Sequence, residues 1–110
     1  MQIIRGDTAK FKFRRLNADG EPILEMPIKI YFTVKRRFTD AEFILQKTID
    51  DMQFDENGYF HFIVQPSDTD NLQYGDYVYD IEVITSNYKQ TISIGSFKIT
   101  KEVTFVGNEG

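Results

Sequence analysis

The 110-residue sequence has no cysteine, no tryptophan, a single histidine and three prolines. Without cysteine, neither a disulfide framework nor a thiolate metal site can form. No apolar run approaches the ~20 residues that a membrane-spanning helix needs, and the first residues lack the apolar segment of a signal peptide. The net charge of −4 disfavours binding to nucleic acid. These absences fit a domain made in a reducing cytoplasm, with neither a membrane nor nucleic acid as its partner.

Aromatic residues are abundant, with ten Phe and six Tyr. Aromatic and β-branched residues favour strands, and alanine is scarce. A chain of this length buries roughly 65% of its unfolded surface, which is enough for one core without covalent cross-links. The composition therefore indicates a single domain rich in strands.

Residues 74–84 carry the clearest strand pattern. Alternation with a period of two places Tyr77, Tyr79, Ile81 and Val83 on one face. Large rings at the start of this segment indicate a central strand of a β-sandwich. We expect one Tyr hydroxyl to bond back to the preceding corner, as in the tyrosine corner of immunoglobulin-like domains.

The same alternation predicts further strands around this one, at residues 2–5, 8–14, 28–35, 43–49 and 59–64, and a last strand through Ile99 that residues 101–105 extend. The side chains expected to face the core are Ala9, Phe11, Phe13, Ile28, Ile30, Phe32, Val34, Phe60, Phe62 and Val64. In the strand at 43–49 two interpretations stay open, with either Phe43 and Leu45 or Ile44 facing inward.

Three local features follow from turn chemistry. Asn57-Gly58, the strongest short hairpin signal, lies between two strand-rich segments. Residues 66–72 are expected to form one helical turn with Ser67 as its N-cap. A change of parity across Gly95-Ser96 predicts a β-bulge there, because one inserted residue reverses the two faces.

The predicted fold class is all-β. We expect an immunoglobulin-like antiparallel β-sandwich of about seven strands, with one short helical turn near residues 67–72. Residues 1–104 form this domain, and residues 105–110 are a tail or the start of a linker.

The sequence offers few residues for catalysis or metal binding. His61, the single histidine, is predicted on the outer face, and no G-x-S-x-G nucleophile motif accompanies it. Asp50, Asp51, Asp55 and Asn57 are the densest group of oxygen ligands, but their spacing does not match a calcium-binding loop. Turn chemistry explains Asp55 and Asn57 without a metal. We therefore predict a protein that is not an enzyme, with no catalytic residues, cofactor or metal site.

Two groups of side chains are candidates for binding. The basic residues form either a binding patch or, as we favour, charged protection of a sheet edge; they are Arg14, Arg15, Lys35, Arg36, Arg37 and Lys47. Four tyrosines could stack on a sugar. Tyr77 and Tyr79 are better explained as core or corner residues, which leaves Tyr74 and Tyr88 as the candidates.

The order of turns and strands resembles a known family over nearly the whole chain, to about Thr104. The segments that carry the resemblance are Gly6-Asp7-Thr8, Asn17-Ala18-Asp19-Gly20-Glu21-Pro22-Ile23, Ile30-Tyr31-Phe32-Thr33-Val34-Lys35, Lys47-Thr48-Ile49, Asn57-Gly58-Tyr59-Phe60, Gln65-Pro66-Ser67-Asp68-Thr69, Leu72-x-x-Gly75-x-Tyr77-x-Tyr79-Asp80-Ile81, Gly95-x-Phe97-x-Ile99 and Val103-Thr104. They resemble the small immunoglobulin-like β-sandwich domains in structural proteins of tailed bacteriophages and prophages. The N-terminal domain of the upper baseplate proteins of phages that infect Gram-positive bacteria is one such domain.

This resemblance implies a non-enzymatic structural protein of the tail or baseplate, made in the bacterial cytoplasm and located in the virion. Its partners would be other phage structural subunits or further copies of itself. The alternative is a module that binds glycans or cell surfaces, with weak calcium binding through Asp50, Asp51 and Asp55. A small hydrolase is a third hypothesis, which the missing nucleophile and base disfavour.

Overall fold

The computed structural model describes residues 1–49 and 54–101. The described residues form seven strands and one helical turn: β1 (Gln2–Ile4), β2 (Ala9–Phe13), β3 (Lys29–Lys35), β4 (Leu45–Ile49), β5 (Phe60–Val64), α1 (Pro66–Thr69), β6 (Gly75–Ile84) and β7 (Lys89–Thr100). The predictions of a mostly β fold, about seven strands and one short helical turn are confirmed. The predicted strand extension at 101–105 and the tail at 105–110 lie mainly or wholly outside the described residues.

Five strands form the main sheet in the order β1-β7-β6-β3-β4, and β2 pairs with β5 in a second sheet. The main sheet is a curled, mixed half-barrel rather than a clear immunoglobulin sandwich. The prediction of purely antiparallel pairing is wrong, because β1 runs parallel to β7 with Ile3 opposite Ile99. The chain passes from β1 to the other sheet through the Gly6-Asp7 turn, so no short hairpin fixes the direction of β1.

The core lies between the two sheets, and its members on β3 and β5 are side chains that alternation predicted, whereas the predicted Ala9, Phe11 and Phe13 of β2 are only partly buried against it. Ile30, Phe32 and Val34 of β3 have no exposed surface, and Phe60, Phe62 and Val64 of β5 are buried opposite them. Phe32 and Phe62 join the two sheets directly, with ring centroids 4.9 Å apart. The remaining members of the buried cluster are Ile3, Ile49, Tyr77, Ile81, Val83, Phe97 and Ile99.

β6 is a central strand of the main sheet, as predicted, and pairs with β3 on one side and β7 on the other. The predicted tyrosine bond is confirmed: the Tyr77 hydroxyl donates to the Gln73 carbonyl oxygen at 2.7 Å. Tyr79 is half-buried, and its hydroxyl lies 3.1 Å from the Ser93 hydroxyl. Both rings therefore belong to the core and corner, as the sequence indicated.

The first correction concerns Ile28, which was expected in the core and is 59% exposed. β3 begins at Lys29, one residue after the predicted start of the strand. Ile28 therefore lies in the connection between β2 and β3, where the alternation of the strand does not determine the direction of its side chain. At the β4 end, Leu45 is partly buried with the core parity, whereas Phe43 precedes the strand and is exposed. Ile44 also packs partly against the core, so each open interpretation was right in part.

Asn57-Gly58 does form a turn, but the hairpin prediction is wrong. β4 pairs with β3 and β5 pairs with β2, so the strands on either side belong to different sheets. Gly58 has a φ of 84°, whereas Asn57 lacks the positive φ that a two-residue type I′ hairpin requires. The turn is instead closed by Asp55, whose N–H donates to the Tyr59 carbonyl oxygen at 2.9 Å.

The predicted bulge is displaced by three residues. Ile81 pairs with Ser93 and Glu82 with Thr91, which leaves Ile92 as the extra residue of β7. Gly95 serves another purpose, because a Cβ atom there would lie 3.3 Å from Cε1 of Tyr79. The glycine thus makes room for a tyrosine ring and does not mark an irregularity.

The helical turn α1 is capped differently from the prediction. Its N-cap is Gln65, with Pro66 as the first helical residue, so Ser67 is not the N-cap. Proline suits the first helical position because it has no N–H to satisfy there. Asp68 accepts a hydrogen bond from the Gln65 N–H at 2.7 Å, which places its charge at the positive end of the turn.

Candidate functional site

A concave surface lies on the outer face of the main sheet. Its floor is formed by side chains of three adjacent strands that point away from the core, and Ala41 and Phe43 of the β3–β4 loop also line it. This depression has a volume of about 420 Å³. Its floor residues are Tyr31, Thr33, Lys35, Gln46, Asp80 and Glu82.

Two further depressions adjoin it. One, of about 440 Å³, is lined by the β3–β4 loop and shares Ala41 and Phe43. A small one of about 40 Å³ shares Thr33 and Lys35 and adds the ring of Phe38. We call the three together the outer-face groove, because their shared residues make them one continuous surface.

The groove combines exposed aromatic rings with a polar floor. Phe38 and Phe43 are 55% and 53% exposed, although both are large apolar side chains. On the floor, the Gln46 side-chain amide donates to the Thr33 hydroxyl at 3.1 Å, and Lys35 Nζ donates to the Asp40 carbonyl oxygen at 2.8 Å. Exposed aromatic residues beside ordered polar groups are typical of protein-binding surfaces.

Two carboxylates of β6, Asp80 and Glu82, line the groove. Glu82 lies 3.6 Å from Lys89 Nζ, which is a weak ion pair at the surface. The Asp80 carboxylate, half-buried on the same strand, has neither a hydrogen bond nor an ion pair with the residues that the structure describes. It is therefore available to a donor on a second molecule.

The sheet edges are a second feature suited to assembly. Within residues 1–49 and 54–101, β4 pairs on one side with β3 and β1 pairs on one side with β7. The free side of such a strand offers backbone N–H and C=O groups to another chain. β4 borders the outer-face groove through Gln46, so the groove and this edge form one surface.

The structure describes only part of the predicted cluster of oxygen ligands. Asp50 and Asp51 lie outside the described residues. Asp55 and His61 are brought together, with Nε2 of His61 2.9 Å from Oδ2 of Asp55. His61 is exposed on the outer face of β5, as expected. No group of three or more acidic or histidine residues among those described could hold a metal ion.

The Asp55 carboxylate is held by its own turn. The hydrogen bond from His61 lowers the pKa of Asp55 below its ordinary value of 3.8, and the backbone N–H of Tyr59 contributes in the same direction. Backbone N–H groups of Asn57 and Tyr59 donate to Oδ1 at 2.9 and 3.0 Å. The cluster therefore stabilises a turn, which is a structural task.

The basic residues do not act as one patch. Arg15 is buried, with 4% of its surface exposed, and Lys47 forms an ion pair with Asp68 at 2.6 Å. Arg14 lies over the Tyr59 ring, 4.6 Å from its centroid. Arg36 donates to the Gln73 side-chain oxygen at 3.3 Å. Each of these cations has its own partner within the fold, which argues against one binding patch. The favoured interpretation, charged protection of a sheet edge, stays a prediction, and the buried Arg15 does not fit it.

Tyr74 and Tyr88 do not form one sugar-binding platform. They lie at opposite ends of β6, and a ten-residue strand is roughly 30 Å long. The guanidinium of Arg5 covers the Tyr74 ring at 4.2 Å. The Tyr88 hydroxyl accepts a hydrogen bond from Arg15 at 3.1 Å. The two rings are thus neither adjacent nor free of contacts within the fold.

Sequence reasoning missed the outer-face groove. Alternation placed Asp80 and Glu82 outward correctly, but it gave no sign that residues of the β3–β4 loop line the same depression. The available signal was Phe38 and Phe43, two large apolar residues in a polar connection outside any strand alternation. Such residues are either buried under the loop or exposed for a partner, and the sequence alone does not decide between these outcomes.

Comparison with models of known protein families and with curated proteins found no match to this chain. No helix among the described residues is long and apolar enough to cross a membrane.

Proposed function

We propose that this chain is a non-enzymatic structural domain of a tailed phage or prophage, and that it joins neighbouring tail or baseplate subunits in the virion. The contact surface is the outer-face groove together with the edge of β4 that faces away from β3, which no other described strand covers. The observation that carries the proposal is the pair of exposed rings, Phe38 and Phe43, beside the Asp80 carboxylate, which has no partner among the described residues. Aromatic anchors of this kind dominate the energetics of protein–protein contacts.

We also propose that the fold is a curled variant of the immunoglobulin-like sandwich. The order β7-β6-β3-β4 matches the G-F-C-C′ order of such domains, and β2 beside β5 matches their B–E pair. The bond from Tyr77 to the corner before β6 is a second feature in common. These features support the resemblance to phage structural domains that the order of turns and strands suggests.

The test is incorporation into particles after induction of the native host. We expect the wild-type chain in purified particles, and we expect Phe43→Ser to lower its amount at least fivefold because a contact ring is lost. Leu24→Ser is the matched control, since Leu24 is 60% exposed and lies outside the groove. Loss of incorporation in both variants, or in neither, would contradict the assignment of the contact surface.

A further inference from the structure

Arg15 is a cation buried without a counter-ion. It follows β2 directly and is 4% exposed. Nη1 donates to the Tyr88 hydroxyl at 3.1 Å and Nη2 to the Glu25 carbonyl oxygen at 2.6 Å, and both acceptors are neutral. None of the ion pairs among the described residues includes Arg15, and its Nε has no acceptor. Burying a guanidinium whose charge is unbalanced is costly unless an anion approaches it.

Arg15 also lines a cavity of about 240 Å³ between the end of β2 and the bulged part of β7. Gln90 and Thr91 line the same cavity and bring polar side chains to it. Arg14 is a second cation at its margin, but it donates to the Asn57 carbonyl oxygen at 3.3 Å and stacks on Tyr59. The partners of Arg14 are neutral as well, but its side chain is only partly buried, so water solvates its charge. The cavity therefore has one buried positive charge without a counter-ion, a second, partly solvated cation at its margin, and additional polar groups around it.

We propose that this cavity binds a single carboxylate group, from a small organic acid or from an Asp or Glu side chain of another protein. A carboxylate matches the planar guanidinium in shape and balances one positive charge with one negative charge. The site is separate from the outer-face groove and does not depend on the proposed function.

The test is a titration of the isotopically labelled full chain with sodium acetate at pH 7, with sodium chloride exchanged to keep the ionic strength constant. We expect saturable NMR shifts at the amides of Ile23, Gln90 and Thr91, which border the cavity. Arg15→Gln should weaken the binding of acetate at least tenfold. Arg37→Gln removes the same charge from an exposed side chain and should change it less than twofold.

Two further probes identify the source and the chemistry of the ligand. A blocked tripeptide with a central Asp that binds at least fivefold more tightly than acetate would indicate a protein ligand, whereas equal affinity would indicate a free organic acid. The same peptide with Asn should not bind. Inorganic phosphate binding more tightly than acetate would overturn the proposal.

The wild-type titration decides the matter even where Arg15→Gln fails to fold. Absence of saturable shifts near the cavity would show that Arg15 only ties two loops together. Where Arg15→Gln does not fold, Arg15→Lys provides the second variant, because it keeps the charge and loses the planar fork. An acetate response that is unchanged in Arg15→Lys or Arg15→Gln would equally contradict the proposal.

Discussion

At the scale of single residues, two turns of this protein have the same construction. In one, Gly20 donates to Asn17, and in the other Gly58 donates to Asp55, both at 3.0 Å between N and O. The two glycines have φ of 81° and 84°. Their surroundings differ, because a Cβ atom at Gly58 would lie 2.8 Å from Cβ of Pro22, whereas one at Gly20 would have no atom within 4 Å.

Alanine at these two positions separates backbone strain from packing. Gly20→Ala should lower the free energy of unfolding by about 1 kcal/mol, which is the cost of a left-handed residue with a side chain. Gly58→Ala should lower it by at least ~1 kcal/mol more, because the methyl group overlaps with Pro22. Urea denaturation at 25 °C measures both values, and equal losses would contradict the described packing of the turn.

The lowered pKa of Asp55 leads to a prediction about how stability depends on pH. Because its pKa is lowered in the folded protein, the unfolded chain binds more protons at Asp55 as the pH falls towards and below the ordinary value of 3.8. The contribution of Asp55 to stability is therefore complete above that pH and is lost as the pH falls through the lowered pKa. Thermal unfolding between pH 7 and pH 3 should show a smaller loss of stability for Asp55→Asn than for the wild type.

At the scale of secondary-structure elements, the strands could be predicted from alternation, and their partners could not. β3 and β5 face the core with the predicted residues because apolar side chains alternate there without interruption. The bulge at Ile92 was misplaced because it depends on how β7 pairs with β6. The N-cap at Gln65 had a local signal, Pro66 at the first helical position, which the prediction of Ser67 overlooked. Turn residues such as Asn57-Gly58 indicate that the chain reverses, but they do not determine which strands pair afterwards.

The cap of α1 provides a test at this scale. The Asp68 carboxylate accepts from the Gln65 N–H and pairs with Lys47 at 2.6 Å, so it ties the helical turn to β4. Asp68→Ala should cost about 1–2 kcal/mol of stability. Ser67→Ala is the matched control, since Ser67 is exposed and is not the cap, and it should change stability by less than ~0.5 kcal/mol.

A loss at Ser67 as large as the loss at Asp68 would show that the sequence-based cap was correct. Guanidinium titrations of both variants and the wild type, followed by circular dichroism, measure the difference directly.

At the scale of the whole molecule, the sequence predicted the strand content and the buried face of most strands. It could not predict the curl of the main sheet or the parallel pairing of β1, because these depend on how distant segments meet. For the same reason, the sequence could not predict the outer-face groove. Asp80 and Phe43 are far apart in sequence and become neighbours when β3 pairs with both β4 and β6.

The proposed function is that of a structural subunit, which acts by binding other proteins. Quantitative mass spectrometry of gradient-purified particles from the induced native host tests this most directly. The chain should be present at a fixed ratio to the other tail or baseplate subunits in every intact preparation. Its consistent absence from particles that contain all the other structural subunits would contradict the account.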